Sequence, residues 1–421
     1  MYTEYDNEDG ETAWYFPSPA RVRMAALISP MSPDRDIRPH FSPAEIAAVR
    51  GTNAAGLHGL VPARCYYDEG IYRFEVEHIL KKNWLAVGRW DWAEKPGDYF
   101  TLTMFGEPLV IVRDRQNRLH CLVNACRHRW ARVVDEGSGN RPALVCPYHR
   151  WTYNLDGSLR AMTKENIPGV DKADCSLPSL RLEVWEGTIF INFDPGAEPL
   201  APQLAGIDEI IGRFNVGAMR SAGRTTYDAA WNYKFSFETG YEAYHHAGVH
   251  FERIHGYAPP EVHEKIAFGK IWGVYGGRLP QHLDNLKNRF PVGVPPWMSE
   301  ADANREGQFR SIFVAVYPGL ITYISPHQIS MITVEHMGVD RNRASTHISL
   351  APWARERPEY AQKVQDLVQQ MKDVQDEDTY ACQVLQAGVR SSYNDRSLIH
   401  PRFEVMLPHY HQWLLDRYLN A

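Results

Sequence analysis

Two short patterns, Cys126-x-His128 and Cys146-x-x-His149, lie seventeen residues apart in "CRHRWARVVDEGSGNRPALVCPYH" and constrain this chain more than any other feature. Each supplies one thiolate and one imidazole, so the fold must bring two knuckles together around a centre of mixed ligation. Tetrahedral zinc held by two cysteines and two histidines is one reading. A [2Fe–2S] cluster with both cysteines on one iron and both histidines on the other is the second. The flanks favour the cluster. Each pattern follows a β-type run, whereas zinc-finger spacing would put both cysteines in one knuckle and both histidines in the other.

Around the knuckles, from Trp84 to Asp194, short β-type runs alternate with turn residues: "YFTLTMF", "PLVIVRD", "LHCLVNAC", "ALVCPYH", "LRLEVW" and "TIFINFD". A Pro/Gly-rich seam, "DPGAEPLAPQLAG", then precedes a region that mixes helical patterns with strands such as "RSIFVAVYP", "LITYISP", "ISMITVEHMG" and "RASTHISLAP". The expectation is an α+β chain. Residues 84–195 form a small antiparallel β domain, and residues 56–83 with 196–421 form a larger domain in which helices flank an antiparallel sheet. Residues 1–55 read as an N-terminal extension whose one ordered signal is "SPAEIAAVRG", a capped helical turn closed by glycine.

Arg355 to Arg390 is predicted helical, with an apolar stripe through Val364, Leu367, Val368, Met371, Val374, Cys382 and Leu385. Asp378 lies on that stripe, whereas Asp376 and Glu377 point elsewhere on the helical wheel. A carboxylate aimed into a core must be paired, protonated or bound to metal.

A second constellation is "FETGYEAYHHAGVH", residues 237–250. On an unbroken helix His246 and His250 share a face with Glu242, while His245 diverges from His250 by roughly 140°. Composition removes other classes of function. The chain has 45 Lys+Arg against 51 Asp+Glu and no long basic run, which argues against a nucleic-acid binder. Six cysteines in 421 residues are too sparse for a disulfide scaffold. The acidic start "MYTEYDNEDGETAW" is unlike a signal peptide, and no window approaches about eighteen uninterrupted apolar residues, so a cytoplasmic protein is expected.

From about Val61 onward the chain resembles the terminal oxygenase α subunits of Rieske non-heme iron oxygenases. The resemblance is carried by C-x-H-x17-C-x-x-H, "CPYHRWTYNLDGSL" and "NYKFSFETGYEAYHHAGVH". It implies a Rieske [2Fe–2S] cluster on Cys126, His128, Cys146 and His149. It also implies a mononuclear Fe(II) on His245, His250 and Asp378, with O₂ as co-substrate, and Glu377 or Asp376 as fallback ligands if the register slips. The resemblance therefore prefers His245 to the helical choice of His246; the two agree if the helix loosens near Gly248.

Glu242 is implied to bridge His149 of a neighbouring copy to His245, and Glu238 is read as structural. A glutamate at the Glu242 position is similar to the choline-, betaine- and carnitine-type monooxygenases. Three positions depart from the family pattern: Trp130 where glycine is usual, Tyr233 for tryptophan and Thr239 for asparagine. The resemblance further implies a homotrimer acting on a small organic molecule, aromatic or quaternary ammonium. The chain has no G-x-G-x-x-G after a strand, so electrons are expected from a separate NAD(P)H-dependent flavin or iron–sulfur reductase, with or without a ferredoxin. Phe237, Tyr241, His246, Phe251, Tyr317 and Tyr323 are the expected pocket aromatics. The rival readings are a Rieske-type electron carrier and a structural zinc protein.

Overall fold

Two Xaa-Gly pairs shape the first sheet. Phe105 and Gly106 (φ 54° and 82°), and Glu186 and Gly187 (φ 46° and 74°), all take left-handed backbone, the geometry of tight two-residue hairpins. They set Met104 opposite Glu107 and Trp185 opposite Thr188. The computed structural model describes residues 37–256, 258–278, 310–394 and 396–421, so most of the expected N-terminal extension lies outside the described residues.

The strands of the first domain are β1 (Leu85–Arg89), β2 (Asp98–Met104), β3 (Glu107–Arg113), β4 (Leu119–Val123), β5 (Ser138–Asn140), β6 (Leu144–Val145), β7 (Thr152–Tyr153), β8 (Leu159–Ala161), β9 (Ser179–Trp185) and β10 (Thr188–Asn192). Seven pair antiparallel in the order β1-β10-β9-β4-β3-β2-β5, and β6-β7-β8 form a separate small sheet. The run "LVIV" of β3 is buried on both faces. Val110 and Val112 pack with Cys126 and Cys146, while Leu109 and Ile111 pack with Ile189 and Ile191 on the other side. Strand periodicity thus places the knuckles over one face of a filled sheet.

The second sheet comprises β11 (Arg220–Ala229), β12 (His263–Phe268), β13 (Trp272–Arg278), β14 (Arg310–Val316), β15 (Leu320–Ile324), β16 (Gln328–Gly338) and β17 (Arg341–Leu350). Its order is β11-β17-β16-β15-β14-β13-β12, and every pairing is antiparallel. The expected α+β architecture is what the structure shows. The two sheets are tied where the Phe105 N–H donates to the His336 carbonyl (3.1 Å) and the Thr103 N–H to Glu335 (3.1 Å). The buried Arg89 adds a second tie, donating to the carbonyls of Glu186 (2.7 Å), Val216 (3.0 Å) and Met219 (3.0 Å).

Helix Tyr360–Gly388 lies along β11, close enough that a Cβ on Gly223 would sit 2.3 Å from Val368. It starts later than expected, because Pro352–Glu356 forms a separate 3₁₀ turn. The apolar stripe holds through Leu367, Val364, Val368 and Met371, but Leu385 faces solvent. Gln386 is buried in its stead, accepting the Asn232 N–H (2.7 Å) and donating to the Tyr66 carbonyl (3.3 Å). A buried amide with both ends bonded is tolerated in a core, and this one binds the long helix to helix Tyr233–Gly240. Beneath that helix, the fully buried Lys234 Nζ donates to both oxygens of Glu75 at 2.8 Å.

The turn expected at "SPAEIAAVRG" is helix Pro43–Arg50, with a complete capping box. The Glu45 N–H donates to Ser42 Oγ (3.3 Å), the Ser42 N–H donates to Glu45 Oε2 (2.8 Å), and Gly51 closes the helix at φ 67°. This helix packs on the C-terminal helix Leu407–Asn420.

Candidate metal centres

The two knuckles have the same backbone. The Trp130 N–H donates to the Cys126 carbonyl (2.9 Å) and the Cys126 N–H to the Ala131 carbonyl (2.8 Å). In the second knuckle the Arg150 N–H donates to Cys146 (3.0 Å) and the Cys146 N–H to Trp151 (2.9 Å). Trp130 and Arg150 occupy equivalent left-handed positions, φ 61° and 60°. Both cysteines are buried free thiols. Tyr153 Oη lies 3.1 Å from Cys126 Sγ and accepts the Arg127 N–H at 3.1 Å. The His128 and His149 rings are 4.7 Å apart, and His128 stacks on Trp151. His128 Nδ1 is buried and has no hydrogen-bond partner among the described residues. Two buried thiols, paired imidazoles and an orphaned ring nitrogen fit a cluster ligated by cysteines on its inner side and histidines on its outer side.

Trp130 therefore stands where glycine would be relaxed, and its side chain is 85% exposed. A β-substituted residue in this conformation costs about 1 kcal/mol, with no burial here to offset it. Trp130→Gly is expected to raise the unfolding free energy by about 1 kcal/mol, read from the midpoint shift in a denaturant titration; an unchanged or lower midpoint would refute the strain.

In the second centre the assumption of an unbroken helix fails. Helix Tyr233–Gly240 ends before Glu242, a 3₁₀ turn spans Tyr244–Ala247, and a π turn spans Phe251–His255. The break lies upstream of His245 as well as between the histidines. It lets ligand atoms of His245, His250 and Asp378 converge to within 4.8 Å of one another. Asp378 Oδ1 is 2.9 Å from His250 Nε2 and 3.7 Å from His245 Nε2.

The opposite ring edges are held by carboxylates. Glu242 Oε1 is 2.6 Å from His245 Nδ1, and Glu377 Oε2 is 2.6 Å from His250 Nδ1. Glu242 Oε2 accepts the backbone N–H groups of Tyr244 and His245. With Nδ1 donating, each Nε2 presents a lone pair. Lone pairs facing a carboxylate oxygen at 2.9 Å need a proton or a cation between them, so this donor set fits a divalent metal. Burial opposes the His245 imidazolium, but Glu242 outweighs it and moves the titration upward.

His246 lies beside the ligand rings, 4.8 Å from His245 and 5.7 Å from His250, but its Nδ1 donates to the Ala258 carbonyl (2.8 Å), and burial, with His245 adjacent, pushes the imidazole down to about 2. Glu238 accepts from Tyr66 Oη (2.7 Å), and burial pushes its carboxyl up to about 7. It faces away from the ligand set. Asp376 pairs at the surface with Lys372 (2.5 Å).

The expected pocket aromatics divide between the core and the surroundings of the second centre. Phe237, Tyr241 and Tyr317 are fully buried, Tyr241 and Tyr317 packing with Tyr410, and Phe251 is exposed. These rings serve the core because their helix and strands face inward there. From His246, itself one of the expected residues, ring contacts continue through His263, Tyr275 and Phe313 to Tyr323, another of them. Sequence periodicity carried no sign of His263, Tyr275 and Phe313, because strands β12–β14 bring those rings together through sheet pairing. Asp373 and Arg253, which flank Glu377, were also not singled out from the sequence.

The fold and both sites define a class of protein: a redox chain that joins an iron–sulfur domain to a mononuclear metal domain. Residues 83–173 match the Rieske [2Fe-2S] domain, and residues 216–420 match the ring hydroxylating alpha subunit (catalytic domain). The chain thus carries the two domains of the Rieske non-heme iron oxygenase α subunits, a Rieske [2Fe–2S] domain followed by a ring-hydroxylating catalytic domain. It is 32% identical over 197 residues to the benzene 1,2-dioxygenase subunit alpha of Pseudomonas putida, covering 45% of this chain and 44% of that protein. It is 32% identical over 193 residues to the carnitine monooxygenase oxygenase subunit of Escherichia coli (strain K12), covering 45% of this chain and 52% of that one. In these alignments the chain spans about half the length of the relatives it matches.

Among solved structures it shares its fold with a quaternary ammonium Rieske monooxygenase. The TM-score is 0.76 at 21% identity, covering 91% of this chain and 99% of that one. Naphthalene 1,2-dioxygenase from Rhodococcus sp. superposes with TM-score 0.72 at 19% identity, covering 89% and 98%. Among the described residues no helix is long and apolar enough to cross a membrane.

Proposed function

We propose that this chain is the terminal oxygenase component of a multicomponent Rieske oxygenase. In this reading it uses O₂ and reductase-supplied electrons to hydroxylate, dihydroxylate or demethylate a small aromatic or quaternary ammonium compound in the cytoplasm. The observation that carries the reading is the presence in one chain of two donor sets suited to different metals: the paired knuckles, and the convergence of His245, His250 and Asp378. Cys126, Cys146, His128 and His149 would hold the cluster, and His245, His250 and Asp378 an iron with open positions; together these groups supply one-electron transfer and O₂ activation.

The protein's own contribution is to orient and insulate. The cysteine side of the first centre is buried, while its histidines lie nearer the surface, beside the exposed Tyr148 and Trp130. With a cluster bound, His128 and His149 would be its side open to electron exchange. Glu242 holds the His245 tautomer and is the residue we assign to the route from His149 of a neighbouring copy, which makes a homotrimer the functional unit. Reducing equivalents come from an NAD(P)H-dependent reductase, directly or through a ferredoxin. A pure electron carrier would leave the second donor set without a task, whereas a zinc protein would use both sets structurally and is separated from the cluster reading by colour and the EPR signal.

The test is a single turnover of reduced, iron-loaded protein with O₂ and a panel containing benzene, biphenyl, L-carnitine and γ-butyrobetaine. Oxygenated product from one class, together with an EPR signal from the reduced cluster, is expected. A colourless protein lacking that signal would favour zinc. A normal cluster signal with no product from either class and no substrate-stimulated O₂ uptake would favour the carrier.

A further inference from the structure

Both imidazoles at the second centre have a carboxylate on Nδ1, but the two carboxylates are secured differently. Glu242 is held locally by backbone N–H groups of its own turn. Glu377 is held at a distance: its Oε1 accepts Arg253 Nε–H at 2.7 Å, and Arg253 Nη1 donates to Asp373 Oδ2 at 3.1 Å. Asp373 Oδ1 in turn accepts from Gln369 Nε2 (2.7 Å). Asp373 and Glu377 are one helical turn apart on helix Tyr360–Gly388, and His250 and Arg253 are three apart on the π-turn segment. Two neighbouring acids on the helix therefore clamp a histidine and an arginine on the turn.

We propose that Glu377 and Arg253 form a positioning relay that fixes His250 in its metal-binding tautomer and sets the metal affinity of the centre. The inference rests on the assignment of His245, His250 and Asp378 as metal ligands. The physical argument is that the His250 Nδ1–H must be directed at Glu377 for Nε2 to keep its lone pair toward Asp378 and the metal. Glu377 is held in that direction more firmly while its second oxygen is itself anchored by Arg253. Such outer partners commonly change metal affinity by about 10–100-fold.

The anchor is open to solvent. Arg253 is 46% exposed in its ion pairs, and it lines a cleft of about 580 Å³ with Gly248, Val249, Asp373, Asp376, Glu377 and Tyr380. An exposed pair of this kind changes affinity by roughly fivefold at most, and by less at high salt. The relay thus makes one arm of the metal site responsive to ionic strength, whereas the Glu242 arm is not.

The test is Co(II) binding to the full chain carrying its cluster, followed by the d–d absorption of the bound ion, with the cluster spectrum and thermal unfolding recorded alongside. Glu377→Gln is expected to weaken Co(II) binding about 10–100-fold with an unaltered cluster spectrum. Arg253→Gln should weaken it roughly fivefold and remove its salt dependence, and this effect should vanish in the Glu377→Gln background. Asp376→Asn removes a charge from the same helical turn and the same cleft, but Asp376 pairs with Lys372 and not with Arg253 or His250 among the described residues, so this variant should bind as wild type does. The relay is overturned if Glu377→Gln binds as tightly as wild type, if Asp376→Asn loses as much, or if the Arg253 effect survives undiminished without Glu377. Absence of Co(II) binding in the wild-type chain would instead overturn the ligand assignment, and the relay with it.

Discussion

Glu242→Gln is expected to reduce steady-state turnover by about 100-fold while both centres can still be loaded. The carboxylate does two things at once, and an amide can do only one of them. Its Oε1 accepts from His245 Nδ1 (2.6 Å), and its Oε2 accepts two backbone N–H groups. Replacing one oxygen by an NH₂ group leaves either the imidazole or the backbone donors facing a donor. It also removes the anionic link proposed to connect His149 of a neighbouring copy with His245. The cluster should reduce at the wild-type rate and, with excess Fe(II), iron should remain near stoichiometric. The variant's deficit should then appear as slow reoxidation of the cluster in the presence of substrate and O₂. Wild-type turnover in Glu242→Gln would sink the bridging role.

A comparably large effect is expected when the two adjacent histidines are exchanged in turn for alanine. His245→Ala should bring bound iron below about a tenth of an equivalent, because one of three protein donors is lost and ligand number governs retention. His246→Ala should keep its iron, since His246 Nδ1 is committed to the Ala258 carbonyl and the residue lies outside the converging donor set. Cluster absorption should be unchanged in both variants, and metal analysis reads the difference directly. Loss of iron from His246→Ala with retention in His245→Ala would reverse the assignment.

Much of the architecture was legible in the chain. The β-type runs around the knuckles became β2, β3, β4, β6, β9 and β10, and the four strands foreseen after the seam became β14 to β17. Period-2 burial and turn residues carry that information locally. Asp378 was also legible, because its place on the apolar stripe required a partner, and the structure supplies His250 at 2.9 Å. Leu385 and Gln386 show where local pattern fails. Polarity alone puts Leu inward and Gln outward, but the Asn232 N–H and the Tyr66 carbonyl needed a partner, and the amide turned in to supply it.

The chain by itself determined which donor types exist and how they are spaced: paired Cys/His knuckles, a run with three histidines, and an acidic triplet on a helix. Tertiary structure decided which of them meet. Helix Tyr233–Gly240 ends early, so His245 takes the place that unbroken helical spacing gave to His246. Glu377, read as a fallback ligand, lies on Nδ1 of His250 and not among the three converging atoms. The reason is physical. Donor chemistry and strand or helix period are properties of a few adjacent residues, whereas His250 and Asp378 are 128 residues apart and meet only once the sheet and the long helix have packed.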